Sequence, residues 1–458
     1  MSVLRVIAER PGAATSVRPP RRHIFAWLFW GIATLIGLAI TWLWLVDGGI
    51  SSINSIAAAL TSIGRITGLI GAYLLLIQVI LLSRLPWIER AAGFDRLTRW
   101  HRLNGKIALG LVLAHVVFIT IGYTLADRIS LGAEISTLLA LYPGMVAATV
   151  GTAIMILIVG MSLVIVRRHL RYEFWYVVHL TAYLAIGLAW IHQIPTGNEF
   201  ITNKTAATWW TALYLATLAL LVLFRIVRPS LTAYRHRLRV VAVTEEATGI
   251  VSIRMAGNNL DRLGARAGQF FLWRFLTRNS WWEAHPFSLS AVPDSRELRI
   301  TVKGSGDFSR RIGEIEPGTG VIVEGPFGAF TDDTRRRDRV LLIAGGIGIT
   351  PIRALAEEMP ADIVLIYRAM HEEDLVFRQE LEHLAKTRRI DLRYVVGDHR
   401  VAGNEDLLSP HHLRQLVPDI ADRDIFLCGP PVMVSLIETN VRRTGVPAKQ
   451  IHVEKFAL

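Results

Sequence analysis

Apolar positions crowd into the first half of the chain. Six stretches, residues 24–46, 62–83, 103–124, 144–166, 174–194 and 206–227, are almost free of charge, and each has the roughly 20 residues that a hydrocarbon layer about 30 Å thick requires of a helix. They predict a six-span α-helical membrane bundle over 24–227, behind a polar segment, 1–23. After Pro229 the pattern shortens. Arg239–Val243, Ile250–Met255, Gln269–Arg274, Leu298–Val302 and Val321–Val323 are brief, rich in β-branched and aromatic residues, and divided by Gly, Asp and Pro. That predicts a small antiparallel β-barrel over 230–335. From Arg339 apolar strands alternate with helical segments, which predicts βαβ units and an α/β domain over 338–458.

Composition sharpens this picture at three points. The first apolar run, Ile24 to Val46, is long enough to span and lacks a small-residue cleavage site, so no cleavable signal is expected. A single cysteine, Cys428, excludes an internal disulfide, and the soluble half gives no sign of an oxidising compartment. The net charge of +12 lies largely in short loops beside the spans, so no nucleic-acid partner is expected. Arg5, Arg10, Arg18, Arg21, Arg22, Arg84, Arg90, Arg96, Arg99, Arg102, Arg167, Arg168 and Arg171 fall on one side of the bundle, with only Arg65, Arg128 and Lys204 on the other. Positive charge stays inside, which predicts both termini in the cytoplasm and residence in a cell membrane, the inner one in a bacterium.

Two of the apolar stretches carry histidines. His101 and His115 lie 14 residues apart in the third, His179 and His192 13 apart in the fifth. At 1.5 Å per residue these intervals are about 21 and 20 Å, so His101 pairs in depth with His179 and His115 with His192. Imidazole is costly in a bilayer and is rarely left there without a job. Two bis-imidazole clamps suit two haems kept for electron transfer; packed histidines bonded to carbonyls are the bland alternative. Fourteen residues keep His101 and His115 on one face, whereas 13 leave His179 and His192 about 140° apart on an ideal helix. Tightening toward Pro195, where the helix is expected to end, or an off-axis haem, would correct the mismatch.

With these spacings on the third and fifth of six spans, residues 62–227 resemble the ferric reductase-like transmembrane domain of NADPH oxidases and ferric reductases. The resemblance implies two b-type haems on His101, His179, His115 and His192. It also sets Arg65 where the family can place an arginine beside the outer haem, to pair a propionate or attract a superoxide-like anion. A snorkelling interfacial arginine is the competing reading of Arg65.

The soluble half carries further motifs. His285-Pro286-Phe287-Ser288 is similar to the flavin signature of the ferredoxin–NADP reductase superfamily, in the form NADPH oxidases carry. The resemblance implies His285 near the FAD phosphates or ribityl chain, Phe287 against the isoalloxazine and Ser288 near its N5. In Gly304-Ser305-Gly306-Asp307-Phe308-Ser309, glycine lets backbone approach an anion, and a helix starting at Phe308 would aim N–H groups at phosphate. This is similar to the family's FAD pyrophosphate segment, although Gly-Ser-Gly is also an ordinary hairpin turn. The strand Val340–Ala344 leads into Gly345-Gly346-Ile347-Gly348-Ile349-Thr350-Pro351, whose tight turn, helix N-terminus and first-turn proline suit a dinucleotide pyrophosphate. It is similar to the pyridine-nucleotide loop of ferredoxin reductases. Arg368 ends the next strand, where a basic residue can meet a 2′-phosphate or lie in a solvated loop, so both NADPH and NADH stay open. Cys428-Gly429-Pro430 looks like the family's element beside the nicotinamide, with a buried structural thiol as the alternative. Near-terminal Phe456 resembles the aromatic that shields the flavin.

The expectation is a transmembrane oxidoreductase: a six-span haem bundle with a cytoplasmic FAD barrel and an α/β NAD(P)H domain. Electrons would run from NAD(P)H through FAD and two haems to a small acceptor beyond the bilayer, either dioxygen or a ferric chelate. Alternatives are a quinone or periplasmic protein as acceptor, or a cytoplasmic flavin reductase tied to a haem-sensing or anchoring module.

Overall fold

The computed structural model describes residues 22–163, 166, 172–278, 280–398 and 407–455. Six helices long and apolar enough to cross a membrane lie among them. They are built from α1 (Arg22–Val46), α2 (Ile56–Leu81), α4 (Phe94–Asp127), α6 (Met145–Ser162), α7 (Tyr172–Thr196) and α9 (Lys204–Val222), with α3 (Pro86–Ala92), α5 (Leu131–Leu141) and α8 (Asn198–Ile201) in the connections. Glycines bring the spans together, as small residues do where helices meet in lipid. A Cβ at Gly64 of α2 would lie 2.7 Å from Ile119 of α4, and one at Gly151 of α6 would lie 2.7 Å from the Ala185 carbonyl of α7.

Two helix ends differ from expectation. α7 does not stop before Pro195 but runs through it to Thr196. So close to a terminus the missing proline N–H forfeits one bond, and the Thr196 hydroxyl donates to the His192 carbonyl at 2.6 Å. No 3₁₀ tightening therefore aligns the two histidines. The sixth span, expected to end at 227, continues through a π turn, Leu223–Val227, into α10 (Arg228–His236). Pro229 cannot make a normal α-helical bond, and the wider turn absorbs it. Membrane helix and barrel are thereby joined by unbroken helix.

The barrel has six strands: β1 (Arg239–Ala247), β2 (Ile250–Ala256), β3 (Phe270–Phe275), β4 (His285–Ser288), β5 (Glu297–Lys303) and β6 (Val321–Phe327). They form antiparallel sheets β1-β2-β5 and β4-β3-β6, stitched by bridges Arg239–Gly320 and Leu289–Ile300. β3 alternates strictly. Phe271, Trp273 and Phe275 are fully buried in the barrel core, while Leu272 and Arg274 turn outward. β4, the strand carrying the flavin-like motif, was not among the strands expected. A five-residue helix, α11 (Asp307–Arg311), follows β5.

The last unit is a parallel sheet of β7 (Arg339–Gly345), β8 (Asp362–Ala369), β9 (Asp391–Val396), β10 (Asp424–Gly429) and β11 (Ile451–Lys455) in the order β11-β10-β7-β8-β9. Helices α12 (Ile349–Glu358), α13 (Arg378–Arg388), α14 (Pro410–Leu416) and α15 (Pro431–Arg443) complete it. β10 is buried along its whole length and β7 everywhere past Arg339, as strands covered on both faces must be. The chain leaves β7 toward β8 on one side, and β10 flanks it on the other. The carboxyl ends of β7 and β10 therefore mark the switch point where open α/β sheets bind ligands.

Candidate functional site

The four membrane histidines meet in two facing pairs. The rings of His101 and His179 have centroids 6.1 Å apart with planes at 53°, and those of His115 and His192 are 6.4 Å apart at 35°. His101 Nδ1 donates to the Gln78 carbonyl at 3.2 Å, and His115 Nδ1 donates to that of Gly64 at 2.8 Å. A carbonyl only accepts, so Nδ1 carries the proton and Nε2 keeps its lone pair. The Nδ1 atoms of His179 and His192 are buried without a hydrogen-bond partner. Among the described residues no group of three or more His, Cys, Asp or Glu could hold a metal ion.

Three further residues shape these pairs and were not singled out from sequence. The Gln78 amide donates to the His101 carbonyl at 2.8 Å and accepts from Asn104 at 2.8 Å, while Asn104 also donates to the Leu74 carbonyl. A usable signal existed, since both are polar residues inside apolar helices at the depth of His101. Gly68 lies against the other pair: a Cβ there would stand 2.5 Å from His115 Nδ1.

Arg65 is engaged differently from the expectation. Its guanidinium meets Asp47 at 2.7 Å and Glu199 at 2.7 Å, and donates to the Asp47 carbonyl at 3.0 Å. Two carboxylates thus occupy the charge that was expected to face a propionate or a small anion.

In the barrel, β4 and α11 bring the two flavin-like segments together. The His285 ring stacks on Phe308 with centroids 3.8 Å apart, and Phe287 lies 6.2 Å from His285 in a near-parallel plane. Burial pushes the His285 pKa down, and its Nε2, 3.0 Å from a Glu283 carboxylate oxygen, partly restores it. The Phe287 carbonyl is held by Trp273 Nε1 at 2.8 Å; Pro286 is exposed and Ser288 buried. The turn before α11 closes on itself, because the Ser309 hydroxyl accepts from the amides of Ser305 and Gly306 at 2.9 and 2.8 Å. The amides of Ser305 and Gly306 therefore face Ser309.

At the switch point the glycines permit close approach. A Cβ at Gly348 would lie 2.4 Å from the Cys428 carbonyl, and one at Gly345 would lie 2.2 Å from Met433 Cε. Gly346 has φ +51° and Gly429 φ +159°. The chain turns through Gly346–Gly348 into α12, where the Thr350 hydroxyl donates to the Ile347 carbonyl at 3.0 Å and Pro351 is buried in the first turn. Pro430 caps α15 on the opposite side. Cys428 is fully buried, and burial raises its thiol well above the ordinary range, so it is a neutral packing group. Arg368 donates to the carbonyls of Ala369, Val395 and Gly397, and burial lowers its pKa. Its guanidinium faces backbone rather than an open 2′-phosphate position. Phe456 lies outside the described residues.

Comparison with known proteins gives three family matches in chain order: "Ferric reductase like transmembrane component" over residues 67–190, "FAD-binding domain" over 235–331 and "Oxidoreductase NAD-binding domain" over 342–439. The first contains His101, His115 and His179 and stops two residues short of His192. The glycine betaine monooxygenase reductase subunit of Pseudomonas aeruginosa (strain UCBPP-PA14) is 30% identical over 182 residues, or 37% of this chain and 49% of that protein. The chain thus spans about half the length of that relative. NADH oxidoreductase HCR of Escherichia coli (strain K12) is 29% identical over 235 residues, 48% of this chain and 67% of that protein. The flavohaem-like FAD/NAD-binding domain of nitric oxide dioxygenase from Vibrio cholerae O1 biovar El Tor is 25% identical. It is matched over 48% of this chain and 98% of that one, with a TM-score of 0.40. The chain thus joins six helices long and apolar enough to cross a membrane to segments that match an FAD-binding and an NAD-binding domain. In chain order its parts match a ferric reductase-like transmembrane component fused to FAD- and NAD-binding domains, the arrangement of a ferric reductase or NADPH oxidase-like fusion.

Proposed function

We propose that this protein is a transmembrane flavocytochrome b, which takes electrons from cytoplasmic NAD(P)H and delivers them to a small acceptor beyond the bilayer. The observation that carries this reading is the facing imidazole pair repeated at two depths. With metal–nitrogen bonds of about 2.0–2.1 Å and a ring nitrogen about 1.1 Å from its centroid, an ion shared by two imidazoles sets the centroids roughly 6.3 Å apart. The distances here are 6.1 and 6.4 Å. Pairs rather than larger clusters are what a porphyrin needs, since it brings four ligands of its own. When bound, FAD would turn a two-electron hydride into single electrons and two b-type haems would carry them.

The chain's own residues hold and shape these sites. His101 with His179, and His115 with His192, would grip the inner and outer haems. The carbonyls of Gln78 and Gly64 keep their partners' Nδ1 protonated, the outer-shell role that orients metal-binding imidazoles. His285, Phe287 and Ser288 on β4, with Gly306, Phe308 and Ser309, would seat the flavin. Gly345, Gly346, Gly348, Thr350, Pro351, Gly429 and Pro430 frame the cleft for the nicotinamide dinucleotide, with Cys428 packed behind it. The arginine bias puts the soluble half in the cytoplasm, and a negative interior then favours the outgoing electron by about 2.3 kcal/mol per 100 mV. Residues 24–227, 230–335 and 338–458 are read as the haem, FAD and NAD(P)H domains. Dioxygen and ferric chelates are the acceptors to be tested.

The test uses sealed vesicles of known orientation, with superoxide and ferrous iron measured outside while NAD(P)H is supplied at the cytoplasmic face. Loss of outside reduction in His115→Leu and His192→Leu, with NAD(P)H oxidation by a soluble dye kept, is expected. Outside reduction that survives loss of both histidines would instead make the bundle an anchor for a cytoplasmic flavin reductase.

A further inference from the structure

We infer that Arg84, Glu324 and Arg274 form the fastening that positions the barrel against the membrane domain, and thereby sets how fast electrons pass from the flavin site to the inner histidine pair. This rests on the flavocytochrome reading above. Arg84 belongs to the membrane side, in the turn between α2 and α3, and Glu324 belongs to β6 of the barrel. Arg84 Nη1 is ion-paired with Glu324 Oε2, and Arg274 Nη2 of β3 lies 3.4 Å from the other oxygen of the same carboxylate. Glu324 is 7% exposed, and the guanidinium side chains are 18% and 26% exposed. One buried carboxylate thus bridges the two domains.

Its place in the fold gives the contact a bearing on electron transfer. In the sheet register Glu324 pairs with Leu272, and Leu272 with Pro286 of the flavin-like motif. On the other side, Arg84 follows six residues after Gln78, whose carbonyl and amide both bond His101. A short line of backbone therefore links the inner histidine, through Arg84 and Glu324, to β4. α3 and α10 pack on β6 at the same junction. Arg84 also holds φ +60°, a left-handed conformation that a side chain rarely adopts unless its surroundings fix it.

Electrostatics make the arrangement specific. A buried ion pair is weak as a source of stability, because desolvation offsets attraction, but it discriminates sharply between registers. Burial, reinforced by nearby Arg225 and opposed by Glu89 of α3, lowers the Arg84 pKa to about 9, and the Glu324 carboxylate is the partner the barrel brings to it. Sliding the barrel would carry Glu324 and Arg274 away together and leave Arg84 beside Arg225 without the Glu324 carboxylate. Electron transfer falls exponentially with distance, so a junction locked in one register also fixes the rate.

The experiment uses the full-length protein loaded with FAD and haem. Three quantities are measured for Arg84→Met, Glu324→Gln and the conservative Arg84→Lys: dye reduction by NAD(P)H at the flavin, the stopped-flow rate of haem reduction by NAD(P)H, and cofactor content. The two neutral variants should keep dye reduction and cofactors yet reduce haem several-fold more slowly, as an exponential fall-off with distance requires of a displaced barrel. Arg84→Lys should restore most of the rate. As a readout independent of activity, an Arg84→Cys/Glu324→Cys pair should be bridged by a short bifunctional methanethiosulfonate reagent that spans the lengths of the two lost side chains, with buried Cys428 spared. Haem reduction at the wild-type rate in both neutral variants, or failure of the reagent to bridge the cysteine pair in folded, cofactor-loaded protein, overturns the inference. A wild-type protein whose haem is not reduced by NAD(P)H at all would instead overturn the flavocytochrome reading.

Discussion

If the two histidine pairs hold haem as proposed, replacing Gly68 by alanine should cost the protein the outer haem while leaving the inner one in place. The added Cβ would lie 2.5 Å from His115 Nδ1 and 2.9 Å from both Cε1 and Cγ, where ordinary contact begins at 3.4 Å. Both helices are packed on other neighbours, so the imidazole must retreat by about 1 Å, and its 2.8 Å bond to the Gly64 carbonyl stretches past hydrogen-bonding range. Losing that bond costs about 1 kcal/mol. Disturbing an outer-shell partner of a metal-binding histidine typically lowers metal affinity by about 10–100-fold, or roughly 1.4–2.7 kcal/mol. The assay is haem per chain, by pyridine haemochrome, alongside FAD content and dye reduction by NAD(P)H. Wild type should carry about two haems and Gly68→Ala about one, with flavin and dye reduction unchanged. Gly110→Ala is the matched control, since it sits on α4 with nothing within 4 Å of its added Cβ. If Gly68→Ala keeps both haems with wild-type spectra, or Gly110→Ala loses haem equally, the close approach is not what seats His115 and the argument fails.

Gln78→Leu should act at the other depth, removing the amide that bonds the His101 carbonyl and Asn104; an inner-haem midpoint potential and occupancy equal to wild type would refute this. Glu89 of α3 is buried, and burial, against the pull of Arg84 and Arg228, raises its pKa from 4.5 to about 8. An acid with a raised folded pKa stabilises below its unfolded value and loses that contribution as pH rises through the folded one. The melting temperature should therefore fall between about pH 5 and 8, and Glu89→Gln should flatten the curve; parallel curves would sink the assignment. Iodoacetamide at about pH 8 should leave Cys428 unlabelled in native protein and modify it after unfolding, read by mass spectrometry, because the thiol is buried and its pKa raised. Arg368→Ala should change the NADPH-over-NADH ratio of kcat/KM by no more than about twofold while lowering the melting temperature, since the guanidinium serves the carbonyls of Ala369, Val395 and Gly397; a selective tenfold loss with NADPH would restore the 2′-phosphate role.

What could be read from sequence, and what could not, divides along physical lines. Spans, barrel and α/β unit were legible because burial leaves a period: long uncharged runs for α2 or α7, strict alternation for Phe271, Trp273 and Phe275, and continuous apolar runs for β7 and β10. The pairing of His101 with His179 and His115 with His192 was legible because depth in a membrane is proportional to residue count along a helix. Helix ends were less so. Pro195 and Pro229 are local breakers, yet the first is absorbed within a turn of the helix end and the second by a π turn, both settled by neighbouring structure. Side-chain partners were least legible. Gln78 and Asn104 were visible as polar residues in lipid, but their tie to His101 needs the packing of α2 on α4. The inter-domain contact of Arg84 with Glu324 joins positions 240 residues apart, beyond the reach of any local pattern.

Arg65 shows why a residue's type and depth do not fix its role. At the outer end of α2 an arginine could serve a haem propionate, an anion or the lipid headgroups, and sequence offers no choice among them. The fold supplies Asp47 from the end of α1 and Glu199 from α8, and Asn198 adds a 2.7 Å bond to the same Asp47 carboxylate. Glu199 is only 3% exposed, so removing the guanidinium would strand a buried carboxylate, a change that typically costs about 3–5 kcal/mol. Three separate elements are thus tied at one cation. The residue preceding it is Gly64, whose carbonyl accepts the His115 Nδ1 proton. Arg65 is therefore fixed next to the backbone carbonyl that bonds His115. Two carboxylates thus engage the one guanidinium that the sequence alone would aim at a propionate, an anion or the headgroups.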